Sequence, residues 1–465
     1  MKPMNLAPAV LAVLLASGAA HAMTDGQLAG LVGQRLHGDR TGACFAAAVV
    51  DSGNVSRAYA CADPADDGRI GPDSAFEIGS VSKTMTATLL AGLIARGEGS
   101  LEDPLADWLP EATAVPAFEG EPIRLRHVVT HTSGLPALPP GVPIPDPADP
   151  YAAMAPDDLL EALGRISLTR APGTRFEYSN YASMLLSYAV ARRAGMGFER
   201  LLDERLFSPL GMDHAYVNER PDGVRVATGH LPNGQPTPAW SFHTDLAGVG
   251  GVHATLGDML AYVQGQLGAG TAPVYAALEM TRQPVAHGGG PATGMNWMLA
   301  PLNGRTIHAH EGGTGGFSSF VGFDREQGRA VVVLSDTALH SLGGLGSLAL
   351  HLLDDSVPLG GPRTVATPPA ELLQALEGTW QLDGLMRVQL RRSGDGLEIE
   401  PAGQPVFQMG YDSAGDFYPL QFDAVLRPQR HADGRYTFTW HQGGGAVPAS
   451  RVTNGGAGTP TTPQR

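Results

Sequence analysis

Ser80 and Lys83 stand in the segment FEIGSVSKTMTATLLAGLIARGEG, where apolar side chains at Met85, Leu89, Leu90, Leu93 and Ile94 recur with helical spacing. That periodicity puts Ser80 near a helix N-terminus and Lys83 one turn later on the same face. A serine hydroxyl is a weak nucleophile and needs a base in contact with it. Lysine can be that base only when burial or its neighbours remove its proton. Arginine cannot, because its guanidinium stays protonated. Of the 31 Lys+Arg in the chain, Lys2 and Lys83 alone are lysine, so a titratable amine is rare here and one of the two lies beside a serine.

Two further groupings could complete that chemistry. In RAPGTRFEYSNYA, Tyr178 offers a hydroxyl that beside a lysine can relay a proton, and the Asn180 amide can fix the lysine and hold a substrate carbonyl. Taken alone, the same residues read as a helix N-cap preceded by a packing aromatic. In RTIHAHEGGTGGFSSF, His308 and His310 alternate on a strand and point the same way. The glycines that follow, among them Gly312 and Gly313, allow close backbone approach and leave N–H groups free. A metal-binding pair is a weaker alternative, because no carboxylate or third histidine stands at a diagnostic spacing. His127 and His131, four apart in HVVTH, lack the glutamate of a zinc protease and read as structural.

The order Ser80-x-x-Lys83, Tyr178-x-Asn180, His310-x-Gly312 resembles the penicillin-recognising serine hydrolases, in the branch of class C β-lactamases and DD-peptidases. VVTHTSGLP, SPLGMDHAY, ATLGDML and HEGGTGGF agree with it, and the resemblance spans about residues 23 to 355. It implies an α/β (α+β) sandwich of the β-lactamase/transpeptidase type, an antiparallel sheet flanked by helices, with an all-helical subdomain and the active site between. By the same resemblance Ser80 is acylated, Lys83 and Tyr178 activate it and shuttle protons, and Asn180 positions Lys83 and substrate. The N–H groups of Ser80 and Gly313 form the oxyanion hole, and no cofactor or metal is needed.

The sequence departs from the pattern at His310, where β-lactamases and DD-peptidases of this type carry lysine. A histidine is mostly neutral at pH 7 and attracts a substrate carboxylate less. Glu311 would disfavour an anion further if it faced the site, and Ala137 and Leu138 stand about where class C enzymes carry an amide side chain. His-x-Gly looks like D-aminopeptidases, D-stereospecific amidases and esterases, some of which carry C-terminal β-barrels. The expected activity is hydrolysis of an amide or ester (β-lactam, D-amino-acid peptide or small ester) through an acyl-serine. The alternatives are a D-aminopeptidase or carboxylesterase with little β-lactamase activity, and a penicillin-binding or peptidoglycan-sensing protein without turnover.

The elements that must hold these residues are legible around them. Residues 1–22 read as a signal peptide, with Lys2, an apolar run and Ala20-His21-Ala22, which predicts a periplasmic or secreted protein with no membrane span in the mature chain. In an oxidising compartment Cys44 and Cys61 can pair. They flank two strands about a Ser52-Gly53 turn, which sets them opposite each other; two reduced buried thiols are the alternative. Hairpins at both ends of residues 23–357 could share one sheet around a helical middle, with helices in DDLLEALGRI and in ASMLLSYAVARRAG. Seven prolines between Pro136 and Pro150 make a stiff connector or a wall of a binding site. Residues 358–376 read as a linker, 377–453 as a small β-barrel or sandwich, a cap for the cleft or a cell-wall-binding module, and 454–465 as a disordered tail. With a formal net charge of −15 and no basic block, nucleic acid is excluded as a partner, which leaves small-molecule or peptide substrates, cell-wall peptides and β-lactams among them.

Overall fold

Strands from opposite ends of the catalytic region meet in one sheet, whose central strands Cys44–Asp51, Ser318–Asp324 and Arg329–Ser335 are buried almost throughout and need cover above and below. The computed structural model describes residues 22–452 except 269, 340–343, 363–364, 384, 403–405, 421–423 and 443–444. The stretches read as a signal peptide and as a disordered tail fall outside these residues, apart from Ala22. The antiparallel sheet runs in the order Met298–Leu302, Arg305–Gly313, Ser318–Asp324, Arg329–Ser335, Cys44–Asp51, Asn54–Cys61. Phe45 opposes Ser335 and Val49 opposes Val331, so the two ends of the region are zipped side by side.

Alternation along these strands feeds two cores. Ala46, Ala48, Val321, Phe323, Val332 and Leu334 face the helices Ser82–Ala95 and Leu256–Leu267 and the helical middle of the chain. Phe45, Ala47, Val49, Phe320 and Val333 face helices Asp25–Leu36 and Gly346–Leu353 on the other side. The middle includes helices Pro156–Leu163 and Asn180–Ala194, the second closed by Gly195 in the left-handed conformation.

Ser52 and Gly53 both have positive φ, 51° and 86°, the conformation of a two-residue hairpin turn. This turn sets Cys44 directly opposite Cys61, and a disulfide joins them.

The C-terminal strands, from Gly378–Leu382 to Gly445–Arg451, close into an eight-stranded barrel. Trp380, Leu390, Ile399, Phe417, Leu426 and Phe438 fill it, as expected of a barrel just wide enough for its own side chains. The end of the stretch read as a linker is not irregular: Ala370–Leu376 is a helix. Leu372, Leu373 and Leu376 sit at helical spacing and pack into the barrel core, and the Leu376 carbonyl accepts from Trp380 Nε1 at 2.8 Å. Tyr418 of the barrel is buried in the core beside Asp25–Leu36 and Gly346–Leu353. That core lies on the opposite face of the sheet from the one that packs around Val81 and Met85. Among the described residues no helix is long and apolar enough to cross a membrane.

Candidate active site

Ser80 lies in the tight turn Gly79–Val81, which runs directly into the helix Ser82–Ala95. The turn is tied to the sheet from both sides: Ile78 N–H donates to Val252 O at 3.0 Å, and Ser319 Oγ donates to Ile78 O at 2.8 Å. Glycine is required where the turn meets the end of the His310 strand. Gly79 has φ +51°, and a Cβ on it would lie 2.5 Å from Gly313 N; a Cβ on Gly312 would lie 2.0 Å from Ile78 O. The turn that carries Ser80 is thereby packed against the backbone of Gly312 and Gly313, at a helix start whose potential favours negative charge.

Lys83 is completely buried. Its Nζ lies 2.9 Å from Ser80 Oγ and donates to Val249 O at 2.7 Å. No ion pair among the described residues includes it, and burial drives its pKa well below the ordinary lysine value. Burial thus favours the free amine over the ammonium in contact with the serine hydroxyl. Tyr178 lies beside the same pair, with Lys83 Nζ 5.0 Å from the centre of its ring. One side of the tyrosine is open, with 38% of its surface exposed, yet the protein packed around it withdraws the hydroxyl from water and raises its pKa. The two groups are pushed apart in opposite senses, lysine to free base and tyrosine to protonated phenol. That is the division of labour between a proton acceptor and a proton donor.

Ser179 caps the helix Asn180–Ala194, its Oγ accepting from Ala182 N–H at 2.9 Å and donating to Pro136 O at 2.6 Å. The cap leaves Tyr178 just before the helix and Asn180 as its first residue. Asn180 is not paired with Lys83, as the resemblance implied. Its Nδ2 donates to Tyr151 Oη at 3.0 Å, while its Oδ1 is buried without a partner among the described residues. The lysine turns instead to a backbone carbonyl, Val249 O, which no side-chain motif could announce.

His310 and His308 lie on one face of the strand Arg305–Gly313. His308 stacks on Phe323 and bonds Arg282 O through Nε2, away from the serine. His310 is buried near Lys83. Its Nδ1 bonds Glu311 O at 2.7 Å, and burial pushes its pKa down to about 4. With Nδ1–H committed to that carbonyl, the ring is neutral and Nε2 is an acceptor. Glu311 does not face the site. It alternates with Ala309 and Ile307 into the opposite core, where Gly346 approaches it and burial raises its pKa.

Two side chains come to the site without having been singled out for it. His131, read as structural, stacks on Tyr178 with ring centres 4.2 Å apart. Tyr151, at the end of the proline-rich segment, holds Asn180, stacks on Phe242 and meets Trp240 edge to face. The HTSGLP stretch was a signal for the first; an aromatic closing a proline-rich loop was a faint one for the second. Glu77, three residues before Ser80, is 3% exposed, takes Trp240 N–H at 2.8 Å on Oε1, and has its pKa raised by burial to about 7.

A serine in contact with a buried lysine whose charge is disfavoured, beside a tyrosine held as its phenol, is an arrangement suited to acyl transfer. Comparison with known proteins agrees in kind. The β-lactamase family model matches residues 21–342. The chain belongs to the β-lactamase family. Among its β-lactamase-family relatives, the D-alanyl-D-alanine-carboxypeptidase/endopeptidase AmpH of Escherichia coli (strain K12) is 31% identical over 300 residues, covering 60% of this chain and 76% of that protein. Esterase EstB of Burkholderia gladioli is 28% identical over 323 residues, covering 60% and 81%. The crystal structure of a β-lactamase/D-alanine carboxypeptidase from Yersinia pestis superposes with TM-score 0.55 at 25% identity, covering 67% of this chain and 92% of that one. An octameric penicillin-binding protein homologue from Pyrococcus abyssi, 18% identical with TM-score 0.59, shares the fold over 93% of this chain and 97% of its own. This β-lactamase-family serine hydrolase thus has relatives named for carboxypeptidase, β-lactamase and esterase activities.

Proposed function

We propose that the protein is an exported hydrolase, acting in the periplasm or outside the cell, that cleaves an amide or ester through an acyl-Ser80 intermediate. The observation that carries the reading is the buried Lys83 amine 2.9 Å from Ser80 Oγ, its pKa driven down by burial, with the Tyr178 ring beside it. In this scheme Lys83 takes the Ser80 proton as Oγ attacks the substrate carbonyl. The tetrahedral oxyanion is held by the N–H groups of Ser80 and Gly313, and Tyr178 passes a proton to the departing nitrogen or oxygen. Water then attacks the acyl-serine with the same groups acting in reverse. Asn180, His310 and Gly312 line the substrate side.

The neutral His310 supports small esters and D-amino-acid amides over substrates that depend on a carboxylate, with β-lactams turned over more slowly, since an acceptor nitrogen repels a carboxylate where an ammonium would attract it. The test is Ser80→Ala against wild type on p-nitrophenyl esters, D-Ala p-nitroanilide and nitrocefin. Loss of all activity is expected, with kcat/KM of the wild type ranking the three classes; hydrolysis unchanged in the variant overturns the mechanism.

A further inference from the structure

Residue 131 follows the short helix Leu125–Val129 and has φ +54° although it is not glycine and only 2% of it is exposed. A buried residue in the left-handed region is strained, and glycine would occupy the position at no cost. What the histidine does with this conformation is to hold three consecutive residues. Its carbonyl accepts from Glu177 N–H at 2.7 Å, its Nδ1 accepts from Ser179 N–H at 3.2 Å, and its ring lies against Tyr178 between them, 27° from parallel. Phe176 meets the same ring edge to face.

We propose that His131 is a positioning residue of the acylation machinery, clamping the segment 177–179 so that the Tyr178 hydroxyl stays aimed at Ser80 as proton donor to the leaving group. The inference rests on the acyl-Ser80 reading. A packing role alone leaves the chemistry of the side chain unexplained. An apolar ring would fill the space without burying Nε2, which has no partner among the described residues. The acceptor role requires an unprotonated Nδ1, and burial beside Lys83 and His310 keeps the ring neutral. Protonation would set an N–H against the Ser179 N–H.

The test compares acetate esters of one acyl group and different leaving groups, p-nitrophenyl acetate against phenyl acetate, on the full chain. p-Nitrophenolate leaves without a proton, whereas phenolate benefits from one. His131→Asn keeps an acceptor and a residue type that tolerates positive φ, but lacks the ring. It should lower kcat/KM for phenyl acetate about tenfold more than for p-nitrophenyl acetate. In a Tyr178→Phe background the same change should have no further selective effect, since it acts through the phenol. A misfolded fraction lowers both esters equally and leaves the ratio untouched. If His131→Asn does not fold, His131→Gln is read in the same way. Equal losses on the two esters, or a selective loss that persists without the Tyr178 hydroxyl, overturn the proposal. Wild-type hydrolysis that survives Ser80→Ala overturns the acyl-Ser80 reading instead, so the two failures are distinct.

Discussion

Gly79→Ala would test the pairing of the Ser80 turn with Gly313. A methyl at residue 79 lands 2.5 Å from Gly313 N, 2.8 Å from its O and 3.0 Å from its C. Carbon contacts are comfortable only from about 3.5 Å, so the two backbones must part by about 1 Å. Both sides are main chain, held by the Ile78 bonds to Val252 and Ser319, and neither can turn aside as a side chain would. The left-handed φ of +51° adds about 1–2 kcal/mol of strain for alanine, on top of about 1–3 kcal/mol for overpacking. For catalysis the displacement matters more than the stability. A donor shifted by about 1 Å leaves the range in which it stabilises an oxyanion, and losing one such donor costs roughly 10²- to 10³-fold in kcat. The assay is kcat and KM with a p-nitrophenyl ester beside a thermal melt. The expected result is a folded variant with kcat down about a hundredfold. A kcat within threefold of wild type would refute the argument that the approach of Gly79 to Gly313 sets up the oxyanion site.

Other perturbations follow from the same geometry. His310→Lys should raise turnover of carboxylate-bearing β-lactams relative to neutral esters, read as the ratio of kcat/KM for nitrocefin and p-nitrophenyl acetate; a fall in that ratio would show that residue 310 does not meet the substrate carboxylate. Glu77, held at a pKa of about 7 against an ordinary 4.5, stabilises the fold while protonated and loses that contribution as pH rises through this interval. The thermal midpoint of Glu77→Gln minus that of wild type should therefore climb from pH 5 to pH 8, and a flat difference would contradict the buried carboxyl. Cys44→Ser should lower the thermal midpoint by several degrees, because the bridge closes a loop with sequence separation 17, worth about 3 kcal/mol. A midpoint equal to that of the oxidised wild type would mean that the bridge contributes nothing.

What the sequence determined is local. A period of 3.6 residues puts Ser80 and Lys83 on one face, and a serine before an apolar helical run caps that helix with Tyr178 and Asn180 flanking the cap. A two-residue turn sets Cys44 against Cys61. Each of these is a relation between residues near one another in the chain, carried by backbone geometry alone. Even the order of the three groupings was enough to indicate the family.

Tertiary structure decided the rest, because it depends on which distant segments pack together. The Lys83 pKa falls because the helix that carries it is submerged, and its carbonyl partner comes from residue 249. His131 and Tyr151 reach Tyr178 and Asn180 across intervening loops, and no periodicity relates them. Glu311 turned away from the site because strand alternation is read relative to a core, and sequence alone did not say which face held the serine. The helix Ala370–Leu376 formed in a stretch read as linker because the barrel core beneath it supplies cover for Leu372, Leu373 and Leu376. Spacing names the groups that could react; burial and long-range contact set their charge and their aim.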